Sequence, residues 1–281
     1  MDYLARKYLR AKKIPSTACS GCGLGQVHKK VLVAIDELGL DTGDVVWGTG
    51  IGCSGRQTFN TWKGDNFAGT HGRVYAIATG LRLALAPEKK IVLTVGDGDA
   101  FGIGLLHLLH CARRNVDVTV IVADNFGYQS TGGQYGWTTP DGSVTDSSPY
   151  GMQDPNWVQD GRDVLDMLKA AGAGFLARHT SAEGYSPVAS IKKALQFKGF
   201  SLVHIIYPCI TNFAGKALGS RKPVVAYRWL EERTNPKPED NLTGITFKTG
   251  IYYEAEQRQE FAEQMREFTL AVKKVGQHET N

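Results

Sequence analysis

Apolar residues recur along this chain in two rhythms. In GQVHKKVLVAIDELGL, Val27, Val31, Leu32, Ile35 and Leu38 fall on one face of a 3.6-residue helix, and Gly39 ends it. VYAIATGLRLAL, IGLLHLLHCARRN, GRDVLDMLKAAGAG and PVASIKKALQF repeat that rhythm. Between them stand short β-branched runs in DVVWGTGIGC, KKIVLTV, VDVTVIVAD, FLARH and FSLVHIIY. Near-continuous apolar runs of this kind are strands covered on both faces. Their alternation with helices predicts an α/β fold: a doubly wound, mostly parallel sheet with helices on both sides.

Two stretches break the alternation. Residues 126–160 are rich in Gly, Ser, Thr and Asp and carry Phe126, Tyr128, Tyr135, Trp137, Tyr150 and Trp157. A loop of that length inside a compact domain is usually functional. Residues 215–250 read as irregular and surface-lying, and a charged helix in EAEQRQEFAEQMREFTLAVKK follows. The expected organisation is one domain over residues 1–214 and a C-terminal extension over 215–281, packed on the domain or on a partner subunit.

Composition narrows the class. The chain has 281 residues, 42% hydrophobic and 21% charged, which is ordinary for a globular protein. A net charge of +4 does not argue for nucleic acid. The basic segment ARKYLRAKK reads as a solvated helix face, with docking to an acidic partner as the alternative. No apolar run approaches a membrane span and no secretory signal follows the first residues, so the expected location is cytoplasmic. There, five cysteines favour a metal site or free thiols over disulfides.

The chemistry gathers at strand ends. KKIVLTV runs into Gly96-Asp97-Gly98-Asp99, where two glycines let backbone approach a phosphate and a helix start favours its charge. The next strand ends at Asn125. A carboxylate, an amide oxygen, a backbone carbonyl and phosphate oxygens form a hard-oxygen set suited to Mg²⁺. Two polar strand ends capped by turns are the blander alternative. Cys19 and Cys22 stand at C-x-x-C spacing, which fits a disulfide, a redox pair, zinc or an iron–sulfur cluster. Cys53 and Cys209 each follow a predicted strand, at the edge where such sheets bind ligands. Cys111 lies on the apolar face of a predicted helix and reads as a core thiol.

Gly96-Asp97-Gly98 followed by Asn125 resembles the thiamine-diphosphate motif. The stretch GDGDAFGIGLLHLLHCARRNVDVTVIVADNFGYQSTGGQ resembles the β subunit of 2-oxoacid:ferredoxin oxidoreductases, as do CSGCG, GIGCSGR and THGRVYAIATG. The resemblance runs from about residue 15 to residue 213 and returns at TGIYYEAE. It implies Mg²⁺ on Asp97, Asn125 and the carbonyl of Gly127. It implies thiamine diphosphate among Gly52, Cys53, Ser54, His71, Gly96, Gly98, Asp99, Tyr128 and Thr131, with His71 near the diphosphate as the candidate catalytic side chain. It also implies one [4Fe-4S] cluster on Cys19, Cys22, Cys53 and Cys209.

The activity so implied is coenzyme A-dependent oxidative decarboxylation of a 2-oxoacid, with electrons leaving through the cluster to ferredoxin or a similar acceptor. The aminopyrimidine-activating glutamate has no match here and in this family comes from an α subunit. The chain is therefore expected to work only with that partner, and with γ- or δ-type subunits where they exist. The loop from Gly127 to Ser148 offers Tyr128, Tyr135 and Trp137 but no Lys or Arg. That leans the substrate toward an aromatic or branched-chain 2-oxoacid, with 2-oxoglutarate and pyruvate as alternatives. Two rival functions are a non-redox thiamine enzyme, which has no need of four converging cysteines, and a cluster-bearing interaction subunit without turnover.

Overall fold

A computed structural model of the chain describes residues 2–151, 163–240, 242 and 244–278. The elements in chain order are α1 (Tyr3–Tyr8), α2 (Leu24–Glu37), β1 (Val45–Thr49), α3 (Cys53–Thr61), β2 (Asn66–Ala68), α4 (Val74–Ala84), β3 (Lys90–Gly96), α5 (Leu105–Arg113), β4 (Val118–Asp124), α6 (Val164–Ala171), β5 (Phe175–Thr180), α7 (Ser186–Gln196), β6 (Phe200–Ile206), α8 (Phe213–Ala217), α9 (Pro223–Glu232), β7 (Gly250–Glu254) and α10 (Phe261–His278). Each helix and strand expected from the apolar rhythm is present. Trp157 of the expected aromatic loop lies outside the described residues.

The seven strands form one sheet in the order β2-β1-β3-β4-β6-β5-β7. All pairs are parallel except β5 with β7. β4 and β6 are buried along their whole length, which is why their sequences are mostly apolar, and the buried Asp124 and His204 pair with each other. One face carries α1, α2 and α7 over a core that includes Trp47, Trp62, Ile35 and Ile191. The other carries α4, α5 and α6 over Tyr75, Phe101, Leu108 and Leu165. Strands are added to both sides of β1, and this reversal opens a crevice beyond the strands' carboxyl ends.

The C-terminal extension departs from the irregular reading. Residues 223–232 form α9, begun by Pro223 at the first helical turn, where its missing N–H costs nothing. α9 buries Ala226 and Leu230, and Trp229 joins Phe126, Phe213 and Phe247 in an aromatic cluster. The helix is short, and its apolar positions sit among arginines and glutamates, so its pattern is weak in the sequence. β7 then pairs antiparallel with β5 as the last strand of the sheet. α10 begins at Phe261, later than the charge pattern indicates, because Ala255 and Phe261 donate backbone hydrogen bonds to Gly174 and Asn115 of the sheet edge instead.

Candidate active site

The carboxyl ends of β1, β3, β4 and β6 open onto a cavity that is open to solvent. Gly52, Cys53, Ser54, His71, Gly96, Asp97, Gly98, Asp99, Asn125, Gly127, Tyr128 and Thr131 all line it. The structure thus brings together in one wall every side chain and glycine expected to hold thiamine diphosphate. Gly98 is needed for packing as well. A methyl group there would stand 2.5 Å from the Tyr128 ring, which lies over the turn.

Asp97, Asn125 and Gly127 meet at the base of the cavity. Asn125 directs its amide oxygen at Gly127 O, 3.1 Å away, and at Asp97 Oδ1, 3.2 Å away. Three acceptors face one another with no hydrogen between them. Its Nδ2 points the other way and donates to Tyr207 Oη at 2.8 Å. A cation removes the repulsion. Octahedral Mg²⁺ with its short oxygen bonds separates adjacent ligand oxygens by about 3.0 Å, close to the spacing seen. Without a cation, the opposite amide orientation donates to both oxygens. Burial, and then the neighbouring Asp124 carboxylate, push the Asp97 carboxyl up to about 8, a penalty that a dication at this point cancels. These residues fit magnesium.

The backbone that delivers these ligands is strained. Phe126 has φ of 69°, the left-handed region a bulky residue seldom adopts, and it turns the chain so that Asn125 and Gly127 both face inward. Its N–H donates to Asp124 Oδ1 at 2.9 Å, and its ring packs 4.6 Å from Phe213 and 5.7 Å from Trp229. The extension's aromatic cluster therefore packs behind the loop that carries Asn125 and Gly127. Asp97 Oδ2 accepts from Gly127 N at 2.6 Å and from Thr138 Oγ1 at 2.9 Å, while Oδ1 accepts only a long bond from Asn125 N, at 3.4 Å. Behind it, Thr138 also reaches Asp124, and Asp124 Oδ2 is 2.8 Å from His204 Nε2. Arg178 donates to His204 Nδ1 at 3.2 Å and pairs with Asp163.

The four cysteines expected to share a cluster are neighbours. The Cys22 thiol is pushed up to about 12, chiefly by burial and further by the nearby sulfurs of Cys209, Cys19 and Cys53. Cys53 is also raised, by burial and then by Cys209 and Cys19. Cys19 is exposed, Cys22 and Cys53 are half-buried and Cys209 is buried. Among the described residues, no three His, Cys, Asp or Glu side chains stand at the spacing one metal ion requires. Cys111 lies apart on α5, buried in the core.

Residues 50–205 match the thiamine pyrophosphate enzyme C-terminal, TPP-binding domain family, which is more than half of the chain. The 2-oxoglutarate synthase subunit KorB of Methanocaldococcus jannaschii is 37% identical over 275 residues, covering 96% of this chain and 98% of that one. The 2-oxoacid:ferredoxin oxidoreductase 2 subunit beta of Aeropyrum pernix is 35% identical over 215 residues, 76% of this chain and 64% of that one. The chain belongs to the β subunits of 2-oxoacid:ferredoxin oxidoreductases. Among solved structures, the 2-oxoglutarate:ferredoxin oxidoreductase from Magnetococcus marinus, with 2-oxoglutarate, coenzyme A and succinyl-CoA bound, superposes with a TM-score of 0.80 at 27% identity, covering 95% of this chain and 90% of that one.

Within this β subunit the geometry separates two aspartates that the motif sets side by side. Asp99 is fully buried and turned away from the cation triad. Its Oδ1 pairs with His71 Nδ1 and accepts from Gly72 N at 2.8 Å, while Oδ2 has no partner and lies against Gly50. Asp99 therefore fixes the His71 ring and the Gly50 turn. No helix among the described residues is long and apolar enough to cross a membrane.

The aromatic substrate lean does not stand. The Methanocaldococcus jannaschii relative and the solved neighbour are named for 2-oxoglutarate. Of the three loop rings, Tyr128 lines the cavity; Trp137 is exposed, and neither it nor Tyr135 lines the cavity. A positively charged side chain is present after all: Arg56, on α3 and three residues past Cys53, lines the cavity. Arg56 comes from a different element than the aromatic loop, so the composition of that loop does not disclose it. Gln129, Ser130 and Tyr207 also line the cavity without being expected from the sequence. Tyr207 carried a signal, since it directly follows β6 at the ligand-binding edge.

Proposed function

We propose that this subunit holds Mg²⁺–thiamine diphosphate in the cavity and a [4Fe-4S] cluster on Cys19, Cys22, Cys53 and Cys209, and that with an α subunit it oxidises 2-oxoglutarate in a coenzyme A-dependent reaction with ferredoxin as acceptor. The observation that carries this reading is the double position of Cys53. It lines the cofactor cavity and lies among the other three sulfurs, so the two sites share a wall. One C-x-x-C pair joined by two cysteines distant in sequence fits a cubane better than a structural zinc site, whose ligands more often come as two close-spaced pairs.

Thiamine diphosphate, when bound, supplies the carbon nucleophile for decarboxylation and the electrons that the oxidation releases. The chain's own residues hold and orient. Asp97, Asn125 and the Gly127 carbonyl take the cation. The α3 start at Gly52–Ser54 and the Gly96–Gly98 turn bring backbone close to the diphosphate. His71, its Nδ1 tied to Asp99, would stand in the cavity lining beside the diphosphate. Arg56 offers a planar, permanently charged partner for the second carboxylate of 2-oxoglutarate. On the intact complex, kcat/KM should favour 2-oxoglutarate over pyruvate, phenylglyoxylate and branched-chain 2-oxoacids. Arg56→Met should cut that preference at least tenfold. A complex that prefers a monocarboxylic 2-oxoacid would refute the substrate reading.

A further inference from the structure

One buried side chain touches both proposed sites and belongs to neither ligand set. Tyr207 is 1% exposed and follows β6. Its backbone N–H donates to Asp124 O at 2.8 Å. Its ring packs on the turn after Cys22: a methyl group at Gly23 would lie 2.6 Å from its Cβ and 3.0 Å from its Cδ2. At the other end of the ring, Oη is 2.8 Å from Asn125 Nδ2. Cys209 lies two residues further along the chain. A single tyrosine thus spans from the cysteine group to the amide that faces the cation.

We propose that Tyr207 is a positioning residue that holds the Asn125 amide with its oxygen toward the cation. This rests on the magnesium site argued above. With the oxygen directed at Gly127 O and Asp97 Oδ1, the amide N–H groups point into protein, and Tyr207 Oη is the acceptor they meet. Removing that hydroxyl strands a buried donor in the cation-bound state. In the cation-free state the amide turns over and its N–H groups bond to Gly127 O and Asp97 Oδ1. Only a carbonyl then lacks a partner, which proteins tolerate better than an orphaned N–H. A phenylalanine at this position therefore penalises the loaded state selectively. It keeps the ring that packs on Gly23, so the cysteine side is left as it was.

The test is a double-mutant cycle on the intact complex, read as Mn²⁺ affinity in the presence of thiamine diphosphate from the electron paramagnetic resonance signal of free Mn²⁺. Tyr207→Phe is expected to weaken Mn²⁺ about fivefold to tenfold with iron and sulfide content unchanged. Asn125→Ala is expected to weaken it further, and adding Tyr207→Phe to Asn125→Ala should change it less than twofold. An unaltered affinity in Tyr207→Phe, or an equal loss in both backgrounds, overturns the proposal while leaving the magnesium site standing. An unaltered affinity in Asn125→Ala overturns both.

Discussion

His28 sits on the inner face of α2, the helix that follows directly on the Cys19–Cys22 segment. It is buried, its ring stacks on Trp47 with centroids 5.2 Å apart, and its Nε2 has no hydrogen-bond partner. Burial pushes its pKa down from the ordinary 6.5 to about 4. The folded protein therefore keeps His28 neutral while the unfolded chain takes up a proton as pH falls through 6.5. A depressed pKa contributes stability that is complete above the unfolded value and lost on acidification toward the folded one. From the two values, the loss is about 2 kcal/mol at pH 5 and about 3 kcal/mol at pH 4. His28→Phe keeps a ring on Trp47 and removes the titration. In urea unfolding followed by tryptophan fluorescence from pH 7 to pH 4.5, the wild type should lose stability against the variant by those amounts. The earliest local consequence should be freer access of alkylating reagents to Cys19 and Cys22. Parallel loss of stability in the two proteins between pH 7 and pH 5 would refute the reasoning.

Two further outcomes are expected. Cys209→Ser should strip or convert the cluster of the intact complex while Cys111→Ser leaves iron and sulfide content unchanged, and equal iron in both would contradict the four-cysteine assignment. Trp229→Ala removes an aromatic partner of the strained Phe126. It should cost about 2 kcal/mol of stability and weaken thiamine diphosphate–Mg²⁺ binding severalfold, measured by calorimetry; an unchanged affinity would show that the extension does not hold the metal loop.

Much of this protein follows from local pattern. Strands buried on both faces must be apolar throughout, and helices packed on a sheet must carry an apolar stripe, so the α/β alternation and its parallel sheet are written directly into the chain. Asp97 and Asn125 were legible for a related reason. Ligands gather at strand carboxyl ends, and the positions just beyond each apolar run can be read off without coordinates. The convergence of Cys53 and Cys209 was legible in the same way.

What distinguishes neighbours in sequence was decided only by the fold. Asp97 and Asp99 flank one glycine in the same loop, yet one carboxylate meets Gly127 N and Thr138 and the other is turned under Gly50 to hold His71. Arg56 and Tyr207 reach the cavity from elements that no single-loop argument connects. The role of α9 depends on Phe126, about a hundred residues earlier, whose conformation it supports. Periodicity reports which face of an element is covered. Where a side chain points within a turn, and which distant partner it meets, depends on packing between segments that the linear pattern does not couple.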